Sequence, residues 1–119
     1  MTVTVRIYHN PRCSKSRQTL ALLEATDVEI DVIRYLETPP NPDTLSDIVR
    51  MLGVSAMDIV RTGEDAYKSS GLDRQSTDEA AIKAICEAPI LLQRPIVVCE
   101  GQARIGRPPE SVLEIIGDQ

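Results

Sequence analysis

Hydrophobic positions change their period several times along this chain, and each change marks an element. Val3, Val5 and Ile7 alternate with polar residues, which predicts a strand over residues 2–8. Leu20, Leu22 and Leu23 read as the buried side of a helix over residues 14–25. Val28, Ile30 and Val32 alternate with Glu29 and Asp31, giving a second strand over residues 28–35. A strand–helix–strand unit of this kind makes the two strands parallel, with a right-handed crossover. The pattern then stays helical to about residue 89. Asn41 is placed to cap a helix with Pro42 at its first position. Leu45, Ile48, Val49 and Leu52 recur at i, i+3, i+4 and i+7, and Gly53 suits the helix end. Ser55 is placed to cap a short helix reaching Arg61, and another short helical segment near residues 64–70 ends at Gly71. Ser76-Thr77-Asp78-Glu79 has capping-box spacing and opens a helix with Ile82, Ile85 and Cys86 on one side. Ile96-Val97-Val98-Cys99 follows Pro95 and is apolar on both faces, as a central strand is. Glu100-Gly101 turns it into a strand over 102–105, and Pro108-Pro109-Glu110 opens a last helix with Val112, Ile115 and Ile116 facing inward.

The order β-α-β, several helices, β-β-α is that of a thioredoxin-like α/β fold. It predicts a central mixed four-stranded sheet flanked by helices, with a helical insertion between strands 2 and 3. One domain over residues 1–119, with the insertion at about 42–89, fits a chain of this length. Hydrophobic residues make up 42%, yet Phe and Trp are absent, so Ile, Val and Leu must build the core. The net charge of −5 without a basic run argues against nucleic acid or an anionic membrane as partner. No apolar stretch approaches a membrane span, and the N-terminus lacks a signal-peptide core. Cys13, Cys86 and Cys99 are an odd, widely spaced set, which is no disulfide framework and suits a reducing cytoplasm. With one histidine and no Cys-x-x-Cys pair, no metal site is expected.

The chemistry concentrates in His9-Asn10-Pro11-Arg12-Cys13-Ser14-Lys15-Ser16-Arg17. Asn10-Pro11 makes the turn between the first strand and the first helix, so Cys13 stands at a helix mouth. Unpartnered N–H groups and the helix dipole there favour a thiolate over a thiol. Arg12, Lys15 and Arg17 add positive charge, and the same N–H groups suit an oxyanion. Cys86 on a helical apolar stripe and Cys99 in a buried strand read as core. His9, four residues before Cys13, suits either packing at the strand end or tuning of the thiol. Arg61, Arg94 and Arg107 stand at element boundaries, where a lone arginine is ordinarily a solvated surface group. Spacing alone does not bring the three together. In a thioredoxin-like sheet, however, the segment before the third strand lies beside the first helix's N-terminus, and a cis bond at Arg94-Pro95 has a structural purpose. A tyrosine-phosphatase loop, Cys-x5-Arg, is absent, because Thr19 stands six positions after Cys13.

Tyr8-His9-Asn10-Pro11-x-Cys13, Ser16-Arg17, Tyr35-Leu36-Glu37-x-Pro39, Arg94-Pro95-Ile96-Val97-Val98 and Arg107-Pro108 together resemble the glutaredoxin-linked arsenate reductase family. Cys-Ser-Lys-Ser-Arg is similar to the active-site sequence of one branch of it. The resemblance spans nearly the whole chain and implies a single nucleophilic cysteine, Cys13. It assigns oxyanion binding to Arg61, Arg94 and Arg107, and tuning of the thiol to His9 and Ser16. It also implies reduction of arsenate to arsenite through a Cys13 adduct. Glutathione is then the co-substrate, glutaredoxin the partner, and no cofactor is bound. A cytoplasmic monomer is the expectation. Two other classes share the frame. One is a glutathione-linked thiol-transfer enzyme, which needs fewer oxyanion arginines. The other is a non-catalytic Spx-like regulatory binding protein. Many of those carry a Cys-x-x-Cys switch, and here Ser16 takes the second cysteine's place.

Overall fold

The computed structural model describes residues 3–116, so Thr2, the predicted start of the first strand, lies outside the described residues. The chain divides into two compact units, one made of Met1–Thr38 with Arg94–Gln119 and the other of Pro39–Gln93.

The first unit is built on a mixed four-stranded sheet in the order β2-β1-β3-β4. Its strands are β1 (Thr4–His9), β2 (Glu29–Arg34), β3 (Ile96–Cys99) and β4 (Gln102–Ile105). β1 and β2 are parallel, as the crossover through α1 (Ser14–Glu24) requires, and β3 is antiparallel to both β1 and β4. This is the thioredoxin-like arrangement. Val5, Ile7, Leu23, Val97, Cys99, Val112, Ile115 and Ile116 form one buried apolar cluster of this unit, and Tyr8 and Tyr35 are buried in the unit as well.

Three expectations change here. α1 buries Ser16, Thr19 and Leu23 rather than the Leu20-Leu22-Leu23 side. Leu20 still packs against the core, but Ser16 and Thr19 are buried as fully as Leu23. Val32 is 41% exposed, since β2 is an edge strand. The last helix is a 3₁₀ segment, Pro109–Ile115. Its buried Pro109, Val112 and Ile115 recur every three residues, the repeat of a 3₁₀ turn.

The second unit is helical. α2 (Pro42–Leu52) opens on Asn41, whose side chain accepts from the Thr44 N–H, and ends on Gly53 at φ 71°. A 3₁₀ turn follows at Ala56–Ile59, with the Ser55 N–H donating to Asp58 Oδ2 at 3.0 Å. After it come α3 (Asp65–Ser70) and α4 (Asp78–Glu87). Val60 then leaves the helical pattern to bridge Leu92, so the helix predicted to reach Arg61 is cut short. The cap of α4 is Thr77, one residue later than the spacing suggested, because the Ser76 hydroxyl accepts from the Asp73 N–H and closes the preceding turn. Leu45, Ile48, Ile59, Ile85, Leu91 and Leu92 are fully buried here.

Candidate active site

The turn from β1 into α1 is tied at both ends by one residue. Asn10 Oδ1 accepts the Arg12 N–H at 3.0 Å, and the Asn10 carbonyl accepts the Cys13 N–H at 3.0 Å. This sets Cys13 as the N-cap of α1 in extended backbone, with no acidic residue in the first turn. The half-buried sulfur therefore takes the position of a capping acceptor, and the N–H groups of Ser16 and Lys15 are directed at it.

Two arginines complete its surroundings, both carried by loops at the ends of β3 and β4. Arg107 Nη2 lies 3.5 Å from Cys13 Sγ, and its Nε donates to the Arg94 carbonyl at 2.8 Å. The Arg94 side chain also hydrogen-bonds toward the thiol. The Arg94-Pro95 bond is cis, as the fold analogy suggested, and Arg107-Pro108 is cis as well. Between the two loops Gly106 donates its N–H to the Pro95 carbonyl at 2.9 Å. A β-carbon there would come within 2.5 Å of Thr19 Oγ1 and 2.7 Å of Pro95 Cγ, so only glycine fits the approach.

Burial is the largest single influence on the Cys13 thiol and pushes its pKa up. The Ser16 N–H, the Arg94 hydrogen bond, the Lys15 N–H and the Arg107 charge together outweigh it, leaving the thiol below its ordinary value. Cys86 and Cys99 are shifted the other way, by burial and by Glu87 and Glu100 respectively. Cys99 is buried in β3, and Cys86 is half-buried with its thiol donating to the Pro40 carbonyl at 3.4 Å.

His9 and Ser16 are neighbours, with Nδ1 and Oγ 2.7 Å apart, and the same hydroxyl accepts the Asn10 N–H at 3.0 Å. Burial first, then the charges of Arg34 and Arg17, hold His9 below its ordinary pKa, so it is neutral at pH 7. The Ser16 hydroxyl is thus engaged with His9 and Asn10, while its backbone N–H serves the thiol. The local cations are placed differently from expectation. Arg17 Nη1 donates to the Pro11 carbonyl at 2.9 Å, which braces the turn. The positive charge acting on the sulfur comes from Arg94 and Arg107, far away in sequence.

The structure therefore brings together Cys13, His9, Ser16, Arg94 and Arg107. Arg61 belongs to the second unit, where Nε meets Glu64 Oε2 at 3.1 Å and Nη1 donates to Gln93 Oε1 at 2.9 Å. Asn10 and Gly106 were not singled out from sequence as site residues, although Asn-Pro beside a reactive cysteine and a glycine beside a boundary arginine were both visible. Among the described residues, no group of three His, Cys, Asp or Glu side chains is placed to hold a metal ion. No helix among them is long and apolar enough to cross a membrane.

Known proteins carry the same architecture. The chain is 55% identical over 119 residues to the uncharacterized protein YfgD of Escherichia coli (strain K12), covering 98% of this chain and 100% of that one. It is 45% identical over 114 residues to an arsenate reductase of Neisseria meningitidis serogroup A / serotype 4A, covering 94% of this chain and 97% of the other. The solved arsenate reductase from Vibrio cholerae superposes with a TM-score of 0.92 at 50% identity, over 97% of this chain and 99% of that chain. Residues 8–115, a span that holds every site residue named above, match the ArsC family, and the chain belongs to that family.

Proposed function

We propose that this protein is an arsenate reductase that works through a covalent adduct on Cys13, with electrons from glutathione and glutaredoxin. The observation that carries this reading is a half-buried thiol at a helix N-terminus, held below its ordinary pKa, with Arg107 Nη2 3.5 Å from the sulfur. A lowered pKa raises the thiolate fraction at neutral pH. The groups that favour the thiolate's charge are also the kind that hold the oxygens of a tetrahedral oxyanion. Backbone N–H groups bind single oxygens, and the planar arginine fork binds two.

The Cys13 thiolate attacks arsenic, forming a sulfur–arsenic bond as one oxygen takes a proton and leaves as water. Arg94 and Arg107 offset the charge that builds on the remaining oxygens. A glutathione thiolate then attacks the Cys13 sulfur. A disulfide to glutathione forms, the sulfur–arsenic pair stays on arsenic, and As(V) leaves as As(III) arsenite. A glutaredoxin thiol takes the glutathione off by disulfide exchange and restores Cys13. His9 and Ser16 tune the thiol through position. Their buried hydrogen bond holds the first turn of α1, and with it the Ser16 N–H aimed at the sulfur.

Arg61 enters this reading from the family likeness alone, as a third oxyanion-binding arginine. Residues 1–119 act as one domain with the helical unit as its insertion. A monomer suffices, since every group named belongs to one chain, and the need for a glutathione pool suits the cytoplasm. The test is an arsenate-dependent NADPH-consumption assay with glutathione, glutathione reductase and glutaredoxin. Turnover is expected with the wild-type protein and absent in Cys13→Ser. A thioredoxin system without glutathione is expected not to substitute. No arsenate-dependent oxidation by the wild type would contradict the assignment.

A further inference from the structure

Tyr35 is a buried titratable group that the mechanism above leaves unused. It directly follows β2, whose last residue, Arg34, is in register with His9 of β1. The chain path therefore sets Tyr35 beside Asn10, the residue that closes the turn into Cys13. The side chain is 0% exposed. The Asn10 amide and the Arg94 guanidinium are directed at its oxygen as donors and it feels the charge of Cys13, but among the described residues no acceptor stands within hydrogen-bond geometry of its proton.

The neighbours explain what is lacking. An arginine offers only donors. Asn10 Oδ1 already accepts the Arg12 N–H. Burial raises the Tyr35 pKa and the Arg94 charge offsets this only in part, so the hydroxyl keeps its proton at neutral pH. A buried O–H without an acceptor is rare and costly in a folded protein. An anion held by Cys13 and Arg94 would bring the missing acceptor to this place.

We propose that the Tyr35 hydroxyl is a ligand of the tetrahedral oxyanion, donating a hydrogen bond to an oxygen that Arg94 also holds. The proposal rests on the reading that the Cys13 site takes an oxyanion, and does not require that the anion be reduced. Tyr35 thereby becomes a substrate-contacting residue, and the end of β2 joins the site.

Tyr35→Phe removes only the oxygen. Two quantities are measured for wild type and variant: the arsenate or sulfate concentration that half-protects Cys13 from iodoacetamide, and the urea midpoint of unfolding. A hydrogen bond to a charged group ordinarily changes affinity by about tenfold or more. The half-protecting concentration is expected to rise by at least about that factor. The urea midpoint is expected to stay equal or rise, because an unsatisfied buried hydroxyl has been removed. Wild-type protection in the variant would overturn the proposal, as would protection weakened together with a lowered midpoint, which would assign the hydroxyl to the fold. Absence of oxyanion protection in the wild type would also overturn it. If the protection effect is found while the coupled assay shows no arsenate reduction, the Tyr35 assignment stands and the reductase reading falls.

Discussion

At the scale of single residues, one sulfur atom is set apart from two others by its surroundings. Burial alone would make all three cysteines inert. Only Cys13 has helix N–H groups and two arginines to reverse the effect. Alkylation rate against pH is therefore expected to show a midpoint for Cys13 below that of free cysteine, about 8.5, and midpoints above it for Cys86 and Cys99. Arg107→Ala is expected to move the Cys13 midpoint upward, and an unmoved midpoint would remove Arg107 from the thiol's environment. The buried His9–Ser16–Asn10 cluster gives a second expectation. Ser16→Ala leaves the Asn10 N–H and His9 Nδ1 without their partner, which costs about 1–3 kcal/mol in urea unfolding. A loss well under 1 kcal/mol would mean that another group satisfies them. The reactive character of Cys13 was legible in sequence because it depends on its own turn and helix start. The arginines that act on it were not legible from spacing, since they lie on loops brought near by β3 and β4. The basic residues beside Cys13 in sequence misdirect this reading, because Arg17 is turned to the Pro11 carbonyl.

At the scale of elements, α1 presents its N-terminus and the two loops flanking the β3–β4 hairpin bring the cations to it. Gly106 is where these pieces meet most closely. Gly106→Ala is expected to destabilise the fold by about 1–3 kcal/mol through overpacking against Thr19 and Pro95. It is also expected to weaken oxyanion protection of Cys13, because Arg107 is the next residue. Urea unfolding and the iodoacetamide assay check the two parts, and a variant with wild-type stability would contradict the first. Strand alternation and helical period made most elements legible: β1, β2, α2 and β3 stand within a few residues of expectation. What was missed follows from tertiary context. Val32 fits a buried alternation, but β2 is an edge strand, and only strand order reveals that. Ser76 fits a capping box, but its hydroxyl is used by the preceding turn. Val112 and Ile115, three residues apart, fit an α-helix or a 3₁₀ turn equally well, so their spacing does not choose between them.

At the scale of the whole molecule, stability and chemistry share the neutral His9. Its folded pKa is lowered from 6.5, so between the folded value and 6.5 the unfolded chain binds more protons than the native one. The contribution of neutral His9 is complete above about 6.5 and is lost as pH falls through the folded value. As the only histidine of the chain, it can be followed directly by NMR. A titration midpoint below 6.5 is expected, with stability declining as pH is lowered from 7 through that midpoint; a midpoint at or above 6.5 would contradict the burial argument. The fold was legible at this scale from element order alone, and the family from motifs spread along the chain. The hydroxyl of Tyr35 was not, because its burial and its lack of an acceptor are properties of the packed state. The central claim is that Cys13 exchanges an arsenate adduct for a glutathione disulfide. The most direct measurement is a single turnover with arsenate and glutathione but no glutaredoxin, followed by intact-mass and peptide mass spectrometry. The account predicts one glutathione on Cys13 for each arsenite released. Arsenite without a modified Cys13, or glutathione on Cys13 in equal yield when arsenate is omitted, would contradict it.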